Sequence, residues 1–214
     1  GVDKANLKRS IYDVLCREHP LSEVILPTQT PGLSVAPSNT DLVGAEIELT
    51  AAIAREHRLT DALSALSVPF DYVIIDCPPS LGLLTLNALT AADTVLIPLQ
   101  AEYFALEGLG ELTRTIQLIQ RRLNPKLDYE GVLLTMYDTR NRLCREVATD
   151  VRRHFGERVF EATIPRNVRL GESPSFGLPI VAYDPSAKGA RAYRNLATEL
   201  LERHAPRARH TRTA

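Results

Sequence analysis

The sequence contains 214 residues, of which 44% are apolar and 24% are charged, a composition typical of one globular domain rather than a disordered chain. Its net charge of −1 excludes a general electrostatic attraction to nucleic acid, so any DNA contact would need a local basic patch. The three widely separated cysteines exclude a disulfide framework and a C-x-x-C metal site, and no apolar run approaches the ~20 residues that span a bilayer, so we expect a cytoplasmic protein without a membrane segment.

Helical and strand patterns alternate along the chain, which predicts an α/β fold with βαβ units and a mainly parallel sheet. Asp3 is the predicted N-cap of a first helix that runs to about residue 18. Strands are predicted at residues 33–36, 72–75, 94–98, 129–136 and 159–163. Further helices are predicted near residues 40–54, 58–67, 82–91, 106–123, 141–155 and 186–204. One domain over residues 1–204 is the simplest count.

A short basic tail follows, at residues 205–214. It contains Arg207, Arg209 and Arg212 and no acidic residue. We expect this tail to be disordered, because it has too few apolar residues to pack.

Residues 72–82 carry the clearest chemical signal in the sequence. Four apolar or aromatic residues, 72–75, predict a strand that is buried on both faces, as in a parallel sheet covered by helices. Asp76 follows at the carboxyl end of this strand, the edge of an α/β sheet where ligands bind. A carboxylate there can reach a Mg²⁺ that bridges the phosphates of a nucleotide. Alternatively, Asp76 could cap the turn that follows.

A nucleotide site of this kind also needs a Gly-rich loop that ends in G-K-[ST], whose backbone N–H groups and lysine cradle the phosphates. No such segment occurs in the 214 residues. The sequence therefore contains half of a nucleotide-binding site.

Five separate segments, in the same order, give this sequence a family resemblance. They are Gly44-Ala-Glu-Ile-Glu-Leu49, Ile74-Ile-Asp-Cys-Pro-Pro-Ser-Leu-Gly-Leu-Leu-Thr-Leu-Asn-Ala-Leu89, Glu102-Tyr-Phe-Ala-Leu-Glu-Gly-Leu109, Ile164-Pro-Arg-Asn-Val-Arg-Leu170 and Tyr183-Asp-Pro185. The chain resembles the ParA/Soj family of DNA-partitioning ATPases, which belongs with MinD to the deviant Walker A P-loop ATPases. The resemblance covers nearly everything from Gly1 to about His204.

The resemblance implies a P-loop NTPase-like, three-layer α/β/α fold with a mainly parallel sheet that is missing its first strands. Family members begin with a strand, a K-G-G-V-G-K-T-T loop, a helix and a second strand that ends in an Asp-rich segment. The present sequence resembles the family only after that point. We therefore expect a family member without its N-terminal segment, through gene truncation, a misplaced start codon or deliberate design.

The resemblance also implies roles for the residues around Asp76. Asp76 itself is the Walker B ligand of Mg²⁺. The loop that follows corresponds to switch II, which senses the γ-phosphate and relays its presence to the dimer interface, although a rigid turn is the alternative reading. This loop consists of Cys77, Pro78, Pro79, Ser80, Leu81 and Gly82. We interpret Cys77 as a small buried apolar residue rather than a nucleophile, since no histidine in the motif could activate it.

Pro165 and Asn167 lie where family members touch the adenine base. The Asn167 amide can pair with the base edge, and Pro165 can pack on its face. Met136, which ends its strand at the same edge of the sheet, is a candidate for packing near the base. Turn chemistry remains the alternative for Pro165 and Asn167, and core filling remains the alternative for Met136.

Four arginines form the candidate DNA contact: Arg166 and Arg169 on the adenine segment, and Arg152 and Arg153 at the end of the preceding helix. Clustered guanidinium groups bind phosphates without reading sequence. The alternative is an ordinary solvated surface. Lys188, Arg191 and Arg194 could widen this patch, whereas Arg140 and Arg142 are weaker candidates.

The resemblance implies a cycle in which ATP binding drives a homodimer that coats DNA nonspecifically on the nucleoid. A ParB/Spo0J-like centromere-binding partner then triggers hydrolysis and release, in the segregation of a chromosome or a plasmid. Because the phosphate-cradling loop and its lysines are absent from the 214 residues, we expect weak or no binding of ATP and Mg²⁺, and no ATPase activity.

Three alternatives differ from this cycle. The first is a pseudo-ATPase, a binding module for DNA or a ParB-like partner that is independent of nucleotide. A MinD-like membrane ATPase would need a C-terminal amphipathic helix with bulky apolar residues on one face, which the sequence after Arg203 does not provide. An iron–sulfur carrier of the same superfamily would need paired cysteines, which are absent.

Overall fold

The computed structural model describes residues 2–3 and 6–205, and it has the expected α/β architecture. The strands are β1 (Leu26–Pro27), β2 (Ser34–Val35), β3 (Thr94–Gln100) and β4 (Asp128–Thr135). The α-helices are α1 (Ile11–Arg17), α2 (Leu42–Glu48), α3 (Arg58–Ser64), α4 (Leu83–Ala91), α5 (Ala105–Arg122), α6 (Arg142–Phe155), α7 (Val168–Glu172), α8 (Ile180–Tyr183) and α9 (Lys188–His204).

The chain divides into two compact units. The first unit is Gly1–Val95 with Gly110–Tyr129, and the second unit is Leu96–Leu109 with Glu130–Ala214. The predicted single domain over residues 1–204 stays a prediction. The predicted disordered tail lies, apart from Ala205, outside the described residues.

The first helix is shorter than predicted, and its predicted start at Asp3 is wrong. Helix α1 begins after Ser10, whose hydroxyl accepts a hydrogen bond from the Tyr12 N–H at 3.3 Å. Asp13 in turn accepts one from the Ser10 N–H at 2.9 Å. This reciprocal capping box satisfies amide groups that a helix N-terminus leaves without partners. Asp3 instead accepts a hydrogen bond from the Asn6 side chain at 2.6 Å.

Helix α1 packs through two faces within the first unit. On one face, Tyr12 shares a buried cluster with Leu49, next to α2. On the other face, Val14 shares a second cluster with Val24. The Tyr12 hydroxyl also donates a hydrogen bond to the Glu48 carboxylate at 2.8 Å, and this bond raises the pKa of Tyr12. Helix α2 is therefore held in place by both apolar packing and a polar bond.

Asn87 of α4 joins two further helices of the first unit. Its side chain is fully buried. The amide oxygen accepts a hydrogen bond from the Leu59 N–H at 3.1 Å, and the amide nitrogen donates to the carbonyls of Arg55 at 2.7 Å and Leu83 at 3.0 Å. Asn87 thus caps the start of α3, where His57 provides no side-chain cap of its own.

The predicted strand at residues 72–75 is wrong for the part of the chain that the structure describes. This segment has no regular secondary structure and forms no ladder with any described strand. Val73 and Ile74 are 55% and 90% exposed, so the expected burial on both faces is not observed either. An apolar run can be a strand only where a neighbouring backbone accepts and donates its ladder hydrogen bonds.

The second unit is built around β4. Strands β3 and β4 are neighbours in one sheet. The chain after α6 then returns parallel to β4, with isolated bridges from Val132 to Val159 and from Tyr137 to Pro165. The strand predicted near residues 159–163 is therefore present only as interrupted pairing.

Glu199 of α9 explains the interruption. Its carboxylate accepts hydrogen bonds from the Glu161 N–H at 3.0 Å and the Ala162 N–H at 2.8 Å. The Ala162 N–H, which lies between the two N–H groups that do reach β4, is therefore not available to that strand. Arg203 pairs with Glu199 at 2.7 Å, and its guanidinium carbon lies 3.9 Å from the centre of the Phe160 ring. A side chain of α9 thus takes the place of a strand partner.

Most of the remaining elements confirm the sequence predictions to within a few residues. They are the short strand β2 and the elements α3, α4, β3, α5, β4, α6 and α9. The helix predicted at residues 40–54 is shorter, since α2 ends at Glu48 and a single 3₁₀ turn, Leu49–Ala51, follows. The short helices α7 and α8 were missed, because each spans too little sequence to show a helical period. None of the helices in the described ranges has the length and apolar character of a membrane span.

A substitution at Gly131 in β4 tests how closely this sheet packs against the segment that follows α6. Its φ angle is +152°, and an added Cβ would collide with the Arg158 carbonyl oxygen and lie 2.8 Å from the Phe160 ring. We expect Gly131→Ala to lower the free energy of unfolding by about 2–3 kcal/mol through overpacking and backbone strain. Urea denaturation followed by circular dichroism measures this change.

The control is Gly108→Ala in α5, where an added Cβ meets no atom within 4 Å. Alanine has the higher helix propensity, so this variant should be as stable as the wild type or more stable by up to ~1 kcal/mol. Equal stability of Gly131→Ala and the wild type would contradict the close approach at β4.

Candidate functional site

Asp76 lies in the first unit, on a loop rather than at the end of a strand, and is exposed. Magnesium in nucleotide sites commonly keeps several waters and takes one or two protein carboxylates together with phosphates. A single exposed carboxylate therefore fits a magnesium ligand. Within the described ranges, no group of three or more His, Cys, Asp or Glu side chains could hold a metal ion by itself.

Cys77 is exposed, so the expectation of a buried thiol is wrong. The reason is that the loop at residues 77–81 lies at the surface throughout. Partial desolvation by the loop and then the charge of Asp76 raise the pKa of the Cys77 thiol. A raised pKa keeps the thiol protonated, which agrees with the interpretation that Cys77 is not a nucleophile.

The loop at residues 77–82 is anchored at its far end. The buried Thr85 hydroxyl donates a hydrogen bond to the Ser80 carbonyl at 2.6 Å, and the Pro78 carbonyl lies 3.4 Å from it. Just beyond the loop, the Glu46 carboxylate of α2 accepts hydrogen bonds from the Leu83 N–H at 2.9 Å and the Leu84 N–H at 3.2 Å. Sequence analysis placed Glu46 in a family segment without assigning it a role.

In the second unit, the structure brings the candidate adenine residues to one edge of the sheet. Met136 follows β4 directly, and the bridge between Tyr137 and Pro165 places the two chain segments side by side. The Tyr137 N–H donates to the Ile164 carbonyl at 3.0 Å. Met136 is 50% exposed and has a left-handed φ of +48°. It therefore does not fill the core.

Asn167 begins α7 but does not use its side chain as a cap. Its Oδ1 atom is buried and has no hydrogen-bond donor among the described residues. A buried acceptor without a donor is costly, which makes this atom a natural partner for a ligand N–H group. The amino group of adenine is such a donor, so these residues fit the base end of ATP.

Met136 also lines a cavity of about 710 Å³ in the second unit, together with Tyr103 and Phe104. These two aromatic residues are 75% and 72% exposed, and their rings meet edge to face with centroids 5.0 Å apart. Sequence analysis did not single them out, although they are consecutive aromatic residues inside a family segment.

A second cavity, of about 800 Å³, is mainly basic. Its charged lining consists of Arg140, Arg166, Lys188, Arg191, Asp138 and Glu161. Cations thus outnumber anions by four to two. We call this cavity the basic pocket. It includes Arg166, which sequence analysis named as a DNA contact, and Arg140, which it regarded as a weaker one.

The other three predicted DNA contacts do not line the basic pocket. Arg169 is paired with Glu172 at 2.9 Å and with Asp184 at 3.6 Å. Arg153 is paired with Asp150 at 3.2 Å. Arg152 lies one residue before Arg153 on α6, outside the residues that line the pocket. Local ion pairs therefore occupy two of these three guanidinium groups.

Comparison with known proteins defines the relationship. The family model described as an AAA domain matches residues 1–129. The chromosome partitioning protein ParA of Myxococcus xanthus is 51% identical over 214 residues, which is 100% of this chain and 76% of that protein. The sporulation initiation inhibitor protein Soj of Bacillus subtilis is 50% identical over 200 residues, covering 94% of this chain and 79% of that protein.

A solved structure is also similar. It is a cobyrinic acid a,c-diamide synthase from Mycobacterium smegmatis with bound ADP and magnesium, which superposes with a TM-score of 0.79 at 40% identity. The match covers 95% of this chain and 76% of that chain.

The fold is thus that of a P-loop ATPase of the MinD/ParA type. Within this class, the chain belongs to the ParA/Soj family of chromosome partitioning ATPases. This membership confirms the predicted resemblance and supports a role in chromosome segregation.

Asp138 at the rim of the basic pocket provides a pH test of its electrostatics. The Arg140 guanidinium donates to its carboxylate at 3.1 and 3.0 Å, and the Arg140 N–H donates to it at 2.9 Å. These bonds, assisted by the charges of Arg140 and Arg166, lower the pKa of Asp138 to about 2. Since this value lies below the ordinary 3.8, the pairing stabilises the fold above pH 3.8 and its contribution is lost as the pH falls toward 2.

We expect carboxyl ¹³C NMR of Asp138 to show titration near pH 2 in the wild type and closer to 3.8 in Arg140→Ala. Arg142→Ala is the control, because Arg142 pairs with Glu146 instead. The assigned cause would be wrong if the midpoint were the same in Arg140→Ala and the wild type.

Proposed function

We propose that this chain acts in chromosome or plasmid segregation as an ATP-dependent partitioning protein. The observation that carries the proposal is the identity of 51% and 50%, over 100% and 94% of the chain, to the two proteins named ParA and Soj. The diamide synthase structure is less similar, at 40% identity. Its named activity is therefore not the function that we propose.

Two proposed contacts concern the nucleotide, one with its metal ion and one with its base. Asp76 would hold Mg²⁺, and the ion would supply positive charge to the nucleotide phosphates. Met136 and Pro165 lie against the adenine, and Asn167 Oδ1 accepts a hydrogen bond from its amino group. The support for the base contact is the buried, unpaired Asn167 oxygen, together with the Tyr137–Pro165 bridge that brings its segment alongside the residues that follow the exposed Met136. Bound Mg²⁺-ATP supplies the phosphoryl group and the charge that the loop at residues 77–82 senses.

These 214 residues contain no G-K-[ST] loop, and they span 76% and 79% of the length of the two relatives. Phosphoryl transfer depends on positioning and charge stabilisation by that loop. We therefore propose that the 214 residues by themselves bind Mg²⁺-ATP weakly and do not hydrolyse it, and that ATP-dependent homodimerisation requires the loop.

The basic pocket is the proposed DNA contact. Its four cations are exposed in one unit. Because Arg140 is engaged by Asp138, the proposed contacts to the phosphates of any sequence fall mainly to Arg166, Lys188 and Arg191. Such binding places the protein on the nucleoid in the cytoplasm. A ParB/Spo0J-like centromere-binding protein is the proposed partner that stimulates release.

A nucleotide-independent binding module is the second candidate. The specific observation in its favour is that the basic pocket is complete within one unit, while the phosphate loop is absent from the sequence. If a chain that contains the phosphate loop bound DNA with the same affinity with and without ATP, that result would favour this candidate. A dependence on ATP would favour the partitioning ATPase.

The DNA contact predicts a specific change in salt dependence. We expect the chain to bind a random-sequence DNA duplex in fluorescence anisotropy, with an affinity that falls steeply as salt rises. Because each lost phosphate contact lowers the logarithmic salt slope by about 1, Lys188→Ala with Arg191→Ala should lower it by about 2. The control Arg142→Ala lies outside the pocket and should keep the wild-type slope. An unchanged slope in the double variant would remove the basic pocket as the DNA contact.

Adenosine tests the base contact without phosphates. We expect it to shift the amide resonances of Met136 and Asn167 saturably, and Asn167→Ala to weaken binding by about fivefold through loss of one hydrogen bond. Purine riboside lacks the 6-amino group and has no N–H donor on its base, so it should bind no better to the wild type than to the variant. Equal responses to both nucleosides would contradict the base contact.

The same preparation should hydrolyse Mg²⁺-ATP no faster than buffer. Sustained hydrolysis would contradict the proposed lack of ATPase activity.

A further inference from the structure

Helix α4 has no N-terminal cap within its own sequence. Its N-cap position is Gly82, which has no side chain. The Leu83 and Leu84 N–H groups are bound instead by the Glu46 carboxylate of α2. A negative charge at this position also interacts favourably with the helix dipole. The start of α4 is therefore fixed by a residue of a different helix.

Gly82 is the residue that permits this contact. Its φ of −85° is available to any residue, so the backbone conformation does not require glycine here. An added Cβ, however, would collide with both carboxylate oxygens of Glu46. The absence of a side chain thus allows the carboxylate to approach the two amide groups.

The loop between Asp76 and α4 has few other attachments to the fold. Helix α4 holds this loop through the Thr85 hydroxyl, which has one proton and can donate fully to only one carbonyl at a time. Residues 77–81 are otherwise exposed. The Glu46 contact is therefore a principal constraint on where the loop ends.

Helix α2 is itself firmly placed. Ala45 and Leu49 are fully buried against Tyr12, and Glu48 accepts the Tyr12 hydroxyl. The side chain between them, Glu46, points to α4. The position of α2 therefore determines where the loop that follows Asp76 ends.

We propose that Glu46 is a positioning residue that sets the conformation of the loop at residues 77–82 through the N-terminus of α4. The inference deepens the proposed function, since it rests on that loop being the nucleotide-responsive segment. Glu46 does not touch nucleotide in this role. It holds the loop in a defined arrangement, from which a bound phosphate can shift it.

Hydrogen exchange of the nucleotide-free chain, resolved by residue with NMR, tests the proposal. In Glu46→Ala we expect the Leu83 and Leu84 amides to exchange about fivefold faster, as for removal of a typical helix cap. Amide resonances of residues 77–81 should shift or broaden, while α1 and the later turns of α4 stay as in the wild type. Glu46→Gln keeps one oxygen for two donors and should give an intermediate rate.

The matched control is Ile47→Ala on the same helix, because the Ile47 side chain is 77% exposed. This variant keeps the Glu46 carboxylate and the Tyr12–Glu48 bond, and it should leave the two α4 amides as they are. A purely structural role of Glu46 would instead raise exchange uniformly across the first unit. Either that uniform rise or unchanged exchange at Leu83 and Leu84 would overturn the proposal.

Gly82→Ala provides a second, independent arm. Because its Cβ displaces the Glu46 carboxylate, it should raise exchange of the same two amides in the wild type and add little in the Glu46→Ala background. Additive effects would show that the two residues do not act on each other. No nucleotide or DNA is present in these experiments, so their outcome is separate from that of the DNA and adenosine tests of the proposed function.

Discussion

The parallel pairing between β4 and the segment that follows α6 decides what the second unit presents at its surface. Because Tyr137 is bridged to Pro165, the residues on either side of each are brought to one edge. Met136 and Asn167 then belong to the candidate base contact, while Asp138 and its neighbours line the basic pocket. Two internal segments that are distant in sequence thus supply both candidate sites. A shift in this pairing would disturb both sites together.

The first unit depends on a different device, the capping of one helix by a side chain of another. Asn87 of α4 caps α3, and Glu46 of α2 caps α4. A helix that lacks a suitable residue at its own start gains one from its neighbour, which satisfies the amide groups at a buried junction. Helix α2 is therefore linked to α4, and α4 is linked to α3, so that movement of one helix changes the hydrogen bonding of the next. Such coupling suits a unit that contains the loop for which we propose a response to nucleotide.

Sequence periodicity was sufficient for the long elements, because apolar burial on one face of α5, α6 or α9 leaves a pattern in the sequence itself. It failed where a distant partner decides the outcome. Residues 72–75 are apolar enough for a strand, but strand formation depends on a neighbouring backbone. Ser10 rather than Asp3 caps the first helix, because Asp13 completes a capping box with Ser10. The three-residue spacing of this pair was a signal that the sequence did contain. For Arg169, the i, i+3 spacing to Glu172 indicated one ion pair, whereas the contact with Asp184 could only be seen in the fold.

The two acidic side chains in the basic pocket have a kinetic consequence. Asp138 and Glu161 offset part of the attraction that the four cations exert on a polyanion, and Arg140 is already engaged by Asp138. In the proposed DNA contact, a surface of this kind would capture DNA by long-range attraction but hold it with few unshared charges, so its complexes would dissociate quickly. Short residence times allow a protein to sample many positions along a duplex rather than remain at one. The acids would therefore limit how long the protein stays on DNA as well as how strongly it binds.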